Sequence, residues 1–89
     1  VRFTAKSSRQ IDSVLAYIRE RSPSGAETVA QRITEAIDLL TDHPRAGRAT
    51  TKASARRLSL SPYPYVIFYR LSGSDVTVTR FVHAARRKV

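Results

Sequence analysis

The chain has 89 residues, no cysteine and a formal net charge of +9. A length of this order gives one domain with a modest core, and the lack of cysteine excludes disulfides and thiolate–metal centres and suits a reducing compartment. Residues 1–44 hold six basic and six acidic side chains, while residues 45–89 hold ten basic ones and a single acid, Asp75, so the whole excess lies in the second half.

In chain order, residues 2–4 form a short opening strand. Ile11, Val14, Leu15 and Ile18 then recur at i, i+3, i+4 and i+7, one stripe of an amphipathic helix that Ser7 or Ser8 can cap. The stripe ends near Arg21-Ser22-Pro23. A second helix follows, opened either by a Ser24/Glu27 capping box or by Ser22 as N-cap with Pro23 in the first turn. Val29, Ile33, Ile37 and Leu40 make its apolar face, and His43-Pro44 ends it, because proline disfavours helix in the residue before it. Two helices joined by so few residues form an antiparallel hairpin.

Residues 44–55 are small, polar and basic, with Arg45, Arg48 and Lys52, and read as a mobile loop. The period then switches to two. Leu58 and Leu60 alternate with Arg57, Ser59 and Ser61 in a strand, Ser61-Pro62-Tyr63-Pro64 turns, and residues 65–71 form the central strand. Ser72-Gly73-Ser74-Asp75 is a hairpin turn, followed by Val76, Val78 and Val82 alternating with Thr77, Thr79 and Phe81. The order β-α-α-β-β-β describes an α+β domain over residues 1–89: an N-terminal strand and a helical hairpin on a small antiparallel sheet. No stretch approaches the roughly 20 apolar residues that span a bilayer. Val1-Arg2-Phe3-Thr4 runs into polar sequence rather than a signal core, so the expected location is the cytoplasm, away from any membrane.

A sheet with helices on one side needs only one apolar face. The central strand has two: Tyr65, Ile67, Tyr69 and Leu71 on one parity, Val66 and Phe68 on the other. Phe81 opposes Val82 likewise, and the alternation alone leaves both parities open as the helix side. The second face calls for a partner, or else for cover by the loop at 44–55. The one-sided positive charge attracts polyanions, whether nucleic acid, ribosome or an acidic protein, unless it serves only solubility.

Arg56-Arg57-Leu58-Ser59-Leu60, Pro64-Tyr65-Val66-Ile67-Phe68-Tyr69-Arg70 and His83-Ala84-Ala85-Arg86, with Ser22-Pro23 and Pro44-x-x-Gly47-Arg48 ahead of them, resemble the ParE/RelE toxin family in the family's own order. The resemblance covers nearly the whole chain. It implies the toxin of a type II toxin–antitoxin pair, neutralised by an antitoxin whose C-terminal segment wraps hydrophobic and basic surface. It also implies one of two activities: ParE-like inhibition of DNA gyrase, or RelE-like, ribosome-dependent cleavage of mRNA. The functional and antitoxin-binding surface is expected at Arg56, Tyr65, Tyr69, Arg70, Arg80, His83 and Arg86.

RNA cleavage through a 2′-OH needs a base, an acid and cations at the phosphate. The candidates are His83 for either proton role, with Arg56, Arg86 and Lys52 as phosphate clamps. The plainer expectation is that His83 closes the last strand and Arg86 binds nearby carbonyls. Relatives of the nucleolytic kind carry more lysines before the second strand and an aromatic or histidine near the C-terminus. This chain has only Lys52 in that loop and ends Arg86-Arg87-Lys88-Val89, which favours gyrase as the target. A non-catalytic nucleic-acid-binding module, with Tyr63, Tyr65 and Tyr69 stacking bases, is the third alternative. Two histidines, one late acid and three scattered glycines provide neither a metal ligand set nor a phosphate-cradling loop, so no metal or cofactor is expected.

Overall fold

The computed structural model describes residues 1–86; the side chain of Arg86 and residues 87–89 lie outside the described residues. The elements are β1 (Arg2–Phe3), α1 (Ala5–Arg21), α2 (Pro23–Asp42), β2 (Arg48–Ala49), β3 (Ala55–Ser59), β4 (Tyr65–Ser72), β5 (Asp75–His83) and a closing 3₁₀ turn (Ala84–Arg86). Five strands form one sheet in the order β1-β5-β4-β3-β2. The α+β architecture expected from sequence holds, with two differences. β1 joins β5 in parallel, with Arg2 opposite Thr77 and Phe3 opposite Val78, so the sheet is mixed rather than antiparallel throughout. β2 lies inside the stretch read as a loop and pairs Arg48 with Arg57 and Ala49 with Arg56. No described helix is long and apolar enough to cross a membrane.

Local hydrogen bonds decide the helix ends. Thr4, not Ser7 or Ser8, caps α1: its Oγ1 accepts the Ser7 amide at 3.1 Å. Ser7 is instead buried, and its hydroxyl donates to Val78 O at 2.9 Å, tying the first turn of α1 to β5. At α2 the Ser22-Pro23 start prevails, with Ser22 Oγ accepting from Gly25 N at 3.0 Å. Proline suits that first turn because its absent N–H would have lacked a helical partner anyway. Ser22 also donates its own amide to Ile18 O, so one residue closes α1 and opens α2. His43 caps the far end of α2 through its amide to Leu39 O.

The core lies between the hairpin and one sheet face. Val29, Ile33, Ala36 and Leu40 of α2 pack with Leu60, Ile67, Tyr69, Leu71, Val76, Val78 and Phe81, and Ile11, Val14, Leu15 and Ile18 of α1 close its side. The helix-facing parity of β4 is therefore that of Tyr65, Ile67, Tyr69 and Leu71. On β5 the parity changes partway. Phe68 pairs with Arg80 and Tyr69 with Val78, leaving Thr79 as an extra residue, a β-bulge. Strict alternation groups Val82 with Val76 and Val78; the bulge puts Phe81 in the core and turns Val82 to the other face.

Tyr69 is the largest fully buried side chain. Its hydroxyl donates to Pro44 O at 2.7 Å and accepts from Gly47 N at 2.9 Å, fastening the segment after α2 to the sheet. Gly47 lies so close that a Cβ there would stand 2.7 Å from both the Tyr69 ring and Arg57 O, which reserves the position for glycine. The stretch read as a mobile loop is thus anchored at its start. Removing the hydroxyl leaves a buried amide and carbonyl unpaired, and such groups cost about 1–3 kcal/mol. Urea unfolding of Tyr69→Phe should show a loss in that range, with little change in the denaturant slope.

Candidate functional site

The sheet face away from the helices is built by register, since residues paired across neighbouring strands share a face. One row runs Arg2, Thr77, Arg70, Ala55. The next runs Arg80, Phe68, Arg57, Arg48, and the third Val82, Val66, Ser59. Five arginines, one from each strand, therefore share this face with Phe68. Asp75, at the β4–β5 turn beside the first row, is the one carboxylate among these positions. The Arg80 guanidinium lies 5.1 Å from the centre of the Phe68 ring. Among the described residues none of these arginines is in an ion pair; the one pair present joins Arg21 to Glu20 on α1. Val66 is buried, so the apolar surface left on this face is Phe68 and Val82, half-buried among guanidinium groups.

The residues singled out from sequence divide between the two faces. Arg70 and Arg80 stand on the open, basic face. Tyr69 is buried on the helix side as described. Tyr65 faces the same way, its ring stacked on Phe81 at 5.3 Å and edge-on to His83 at 5.4 Å. Arg56 shares a register position with Tyr69 and donates through one nitrogen to Gly47 O at 2.7 Å and Arg45 O at 3.3 Å. It therefore holds the same segment that Tyr69 holds. Arg86 sits in the closing 3₁₀ turn, and the role expected of its side chain falls outside the described residues.

Sequence grouped Arg56, Lys52 and His83 around one phosphate. Lys52 and Arg56 do border a common groove, together with Arg45. His83 does not join them: it pairs with Tyr65 and Arg56 with Tyr69, four residues apart along β4. That is a rise of about 13 Å, with two strand spacings crosswise in addition. His83 instead accepts the Ala85 amide on Nδ1 at 3.1 Å. It borders a different groove, between α1 and β5, with Lys6, Arg9, Gln10, Ser13 and Arg80. Sequence reasoning left Arg2, Arg48 and Arg57 out of the expected functional surface and named Phe68 only as part of one of two apolar parities. Arg57 was within reach, because an inward Leu58 turns its neighbour outward; Arg2 and Arg48 required the pairings of two-residue strands.

A helical hairpin on one side of a small mixed sheet, with the opposite face basic, defines an α+β domain with one exposed cationic face. Residues 1–88 match the model of the family described as the ParE toxin of type II toxin–antitoxin system, parDE. Toxin Y4kP of Sinorhizobium fredii is 38% identical over 84 residues, covering 94% of this chain and 86% of its own. Toxin RelE2 of Caulobacter vibrioides is 36% identical over 84 residues, covering 94% of this chain and 93% of its own. A solved chain described as the chromosomal ParDE TA system from P. aeruginosa shares the fold with a TM-score of 0.79 at 22% identity, over 92% of this chain and 91% of that one. This chain belongs to the ParE toxin family, within the ParE/RelE toxins of type II toxin–antitoxin systems.

The two classes of arginine should separate in stability measurements. Arg56→Ala removes charge-assisted bonds to two carbonyls and should cost about 1–2 kcal/mol. Arg70→Ala, exposed on the open face, should stay within about 0.5 kcal/mol of the parent protein. Chemical denaturation of both variants checks the assignment.

Proposed function

We propose that this protein is a cytoplasmic toxin that arrests growth by inhibiting DNA gyrase without cutting nucleic acid, and that a cognate antitoxin holds it inactive. The observation that carries the choice of target is the hydrogen bond made at His83 Nδ1. The Ala85 amide donates to Nδ1, which engages that nitrogen's lone pair and matches the tautomer with the proton on Nε2. In that arrangement Nε2–H can donate a proton to a leaving oxygen, but taking one from a 2′-OH requires the Ala85 bond to break.

The rows of the open face offer no substitute, and the one carboxylate beside them, Asp75, sits at the β4–β5 turn opposite Ser72, four residues along β4 from Phe68. Its rows contain arginine, phenylalanine, valine, alanine, threonine and serine. Guanidinium groups remain protonated and cannot act as bases at neutral pH. What the face offers is positive charge and a planar apolar contact at Phe68, which suits binding rather than proton transfer. The same combination supports an antitoxin segment rich in carboxylates and apolar side chains, ordered as it binds.

A second reading, ribosome-dependent mRNA cleavage, draws on one observation: His83 borders a groove that also carries Lys6, Arg9 and Arg80. Lysine and arginine there would clamp phosphate, but His83 would first have to give up the Ala85 amide.

Gyrase supercoiling, titrated with the purified toxin in the presence and absence of antitoxin, tests the proposal. Dose-dependent inhibition reversed by antitoxin is expected, and His83→Gln should inhibit within about threefold of the parent, below the tenfold that 1.4 kcal/mol represents. A folded, growth-arresting protein that leaves supercoiling untouched would move the assignment to mRNA cleavage.

A further inference from the structure

We propose that the arginine face of the sheet binds the phosphate backbone of duplex DNA directly and without regard to base sequence. The proposal deepens the gyrase reading, on which its choice of DNA over RNA rests: the toxin grips the substrate of the enzyme it inhibits.

The face carries Arg2, Arg80, Arg70, Arg57 and Arg48, one from each strand in the order β1-β5-β4-β3-β2. Four strand spacings make the array about 19 Å wide, and its two rows lie two residues apart along β4, about 7 Å. Arg2, Arg48, Arg70 and Arg80 are exposed, and Arg57 is half-buried. The arginine side chains that hydrogen-bond within the described residues are those of Arg21, Arg32 and Arg56, none of them on this face. The five guanidinium groups are also outside the one ion pair among the described residues. Duplex DNA carries one negative charge per about 1.7 Å of its axis, so a surface of this width meets several phosphates at once.

Three features select a duplex backbone. Single strands are held by aromatic platforms on which bases stack. Here Tyr63, Tyr65 and Tyr69 pack into the helix-side core, and Phe68 is half-buried with the Arg80 guanidinium 5.1 Å from its ring centre. A folded protein partner needs an apolar centre depleted in charge, whereas this face is cationic at its centre, the composition of protein–DNA interfaces. Both helices pack on the opposite side, so no described helix stands on this face to enter a groove and read base edges. The arginines therefore meet phosphates, contacts that carry no sequence information.

Fluorescence anisotropy of two labelled duplexes of unrelated sequence, titrated with the purified toxin over a range of salt, tests the proposal. The two should bind within about threefold of each other, and log affinity should fall against log salt with a slope between about −3 and −5, near 0.9 per phosphate engaged. Arg70→Ala with Arg80→Ala, and separately Arg2→Ala with Arg48→Ala, should each shrink that slope by about 2 and weaken binding about tenfold. Arg19→Ala with Arg21→Ala removes the same charge from the far end of α1, and should leave the slope unchanged and the affinity within about threefold. Thermal unfolding checks that every variant is folded. An equal loss in the α1 pair, tighter binding of the matching single strand or RNA duplex, or no duplex binding by a folded toxin overturns the proposal. Gyrase supercoiling separates it from the reading it rests on. A toxin that inhibits gyrase but binds no duplex removes the DNA face alone, and one that binds duplex yet leaves supercoiling untouched removes the gyrase target alone.

Discussion

Where β4 advances from Phe68 to Tyr69, β5 takes three residues, 78–80, and the extra one is Thr79. Much else in the molecule follows from this count. With strict alternation Arg80 would share the helix face with Val78, and a guanidinium would be driven into an apolar core, while Phe81 would face solvent. The bulge reverses both. It is held on each side: Thr79 Oγ1 donates to Phe68 O, and Thr79 O accepts from Thr4 Oγ1 at the cap of α1. The chain entering the first helix thus helps fix the register of the last strand, although the two are far apart in sequence.

From that register the two faces acquire different work. The helix side is closed by Tyr69 and Arg56, which between them bind Pro44, Arg45 and Gly47 and keep the segment after α2 against the sheet. Tyr65, Phe81 and His83 form an aromatic group at the other end of the same side. The outer side collects arginines from every strand on the face of Phe68. A toxin made this way carries these cations on a surface whose shape is set by the sheet rather than on a mobile loop.

The helices were legible in the sequence because their apolar residues follow a 3.6-residue period and because Ser22-Pro23 and His43-Pro44 mark their ends. The hairpin at Gly73, which takes φ +62°, was legible for the same kind of local reason. The faces of the sheet were harder to read. Periodicity assumes constant alternation, and the bulge at Thr79 breaks it, so alternation grouped Val82 with Val76 and Val78 and left both parities open as the helix side. β1 and β2, at two residues each, are too short to show a pattern, and only their partners define them. Motif likeness drew attention to Arg56, whose guanidinium turns inward to backbone carbonyls, while Arg57 beside it faces out. An arginine that clamps a loop and one that meets a partner look alike in sequence; their hydrogen bonds separate them.

The account stands on the claim that the arginine face acts on the target while the helix face holds the fold. Its most direct test is growth arrest by a triple variant, Arg57→Glu, Arg70→Glu and Arg80→Glu, measured beside its thermal unfolding. The account predicts a folded protein with a melting transition close to the parent's and no growth arrest. Full arrest by that folded triple variant would contradict it.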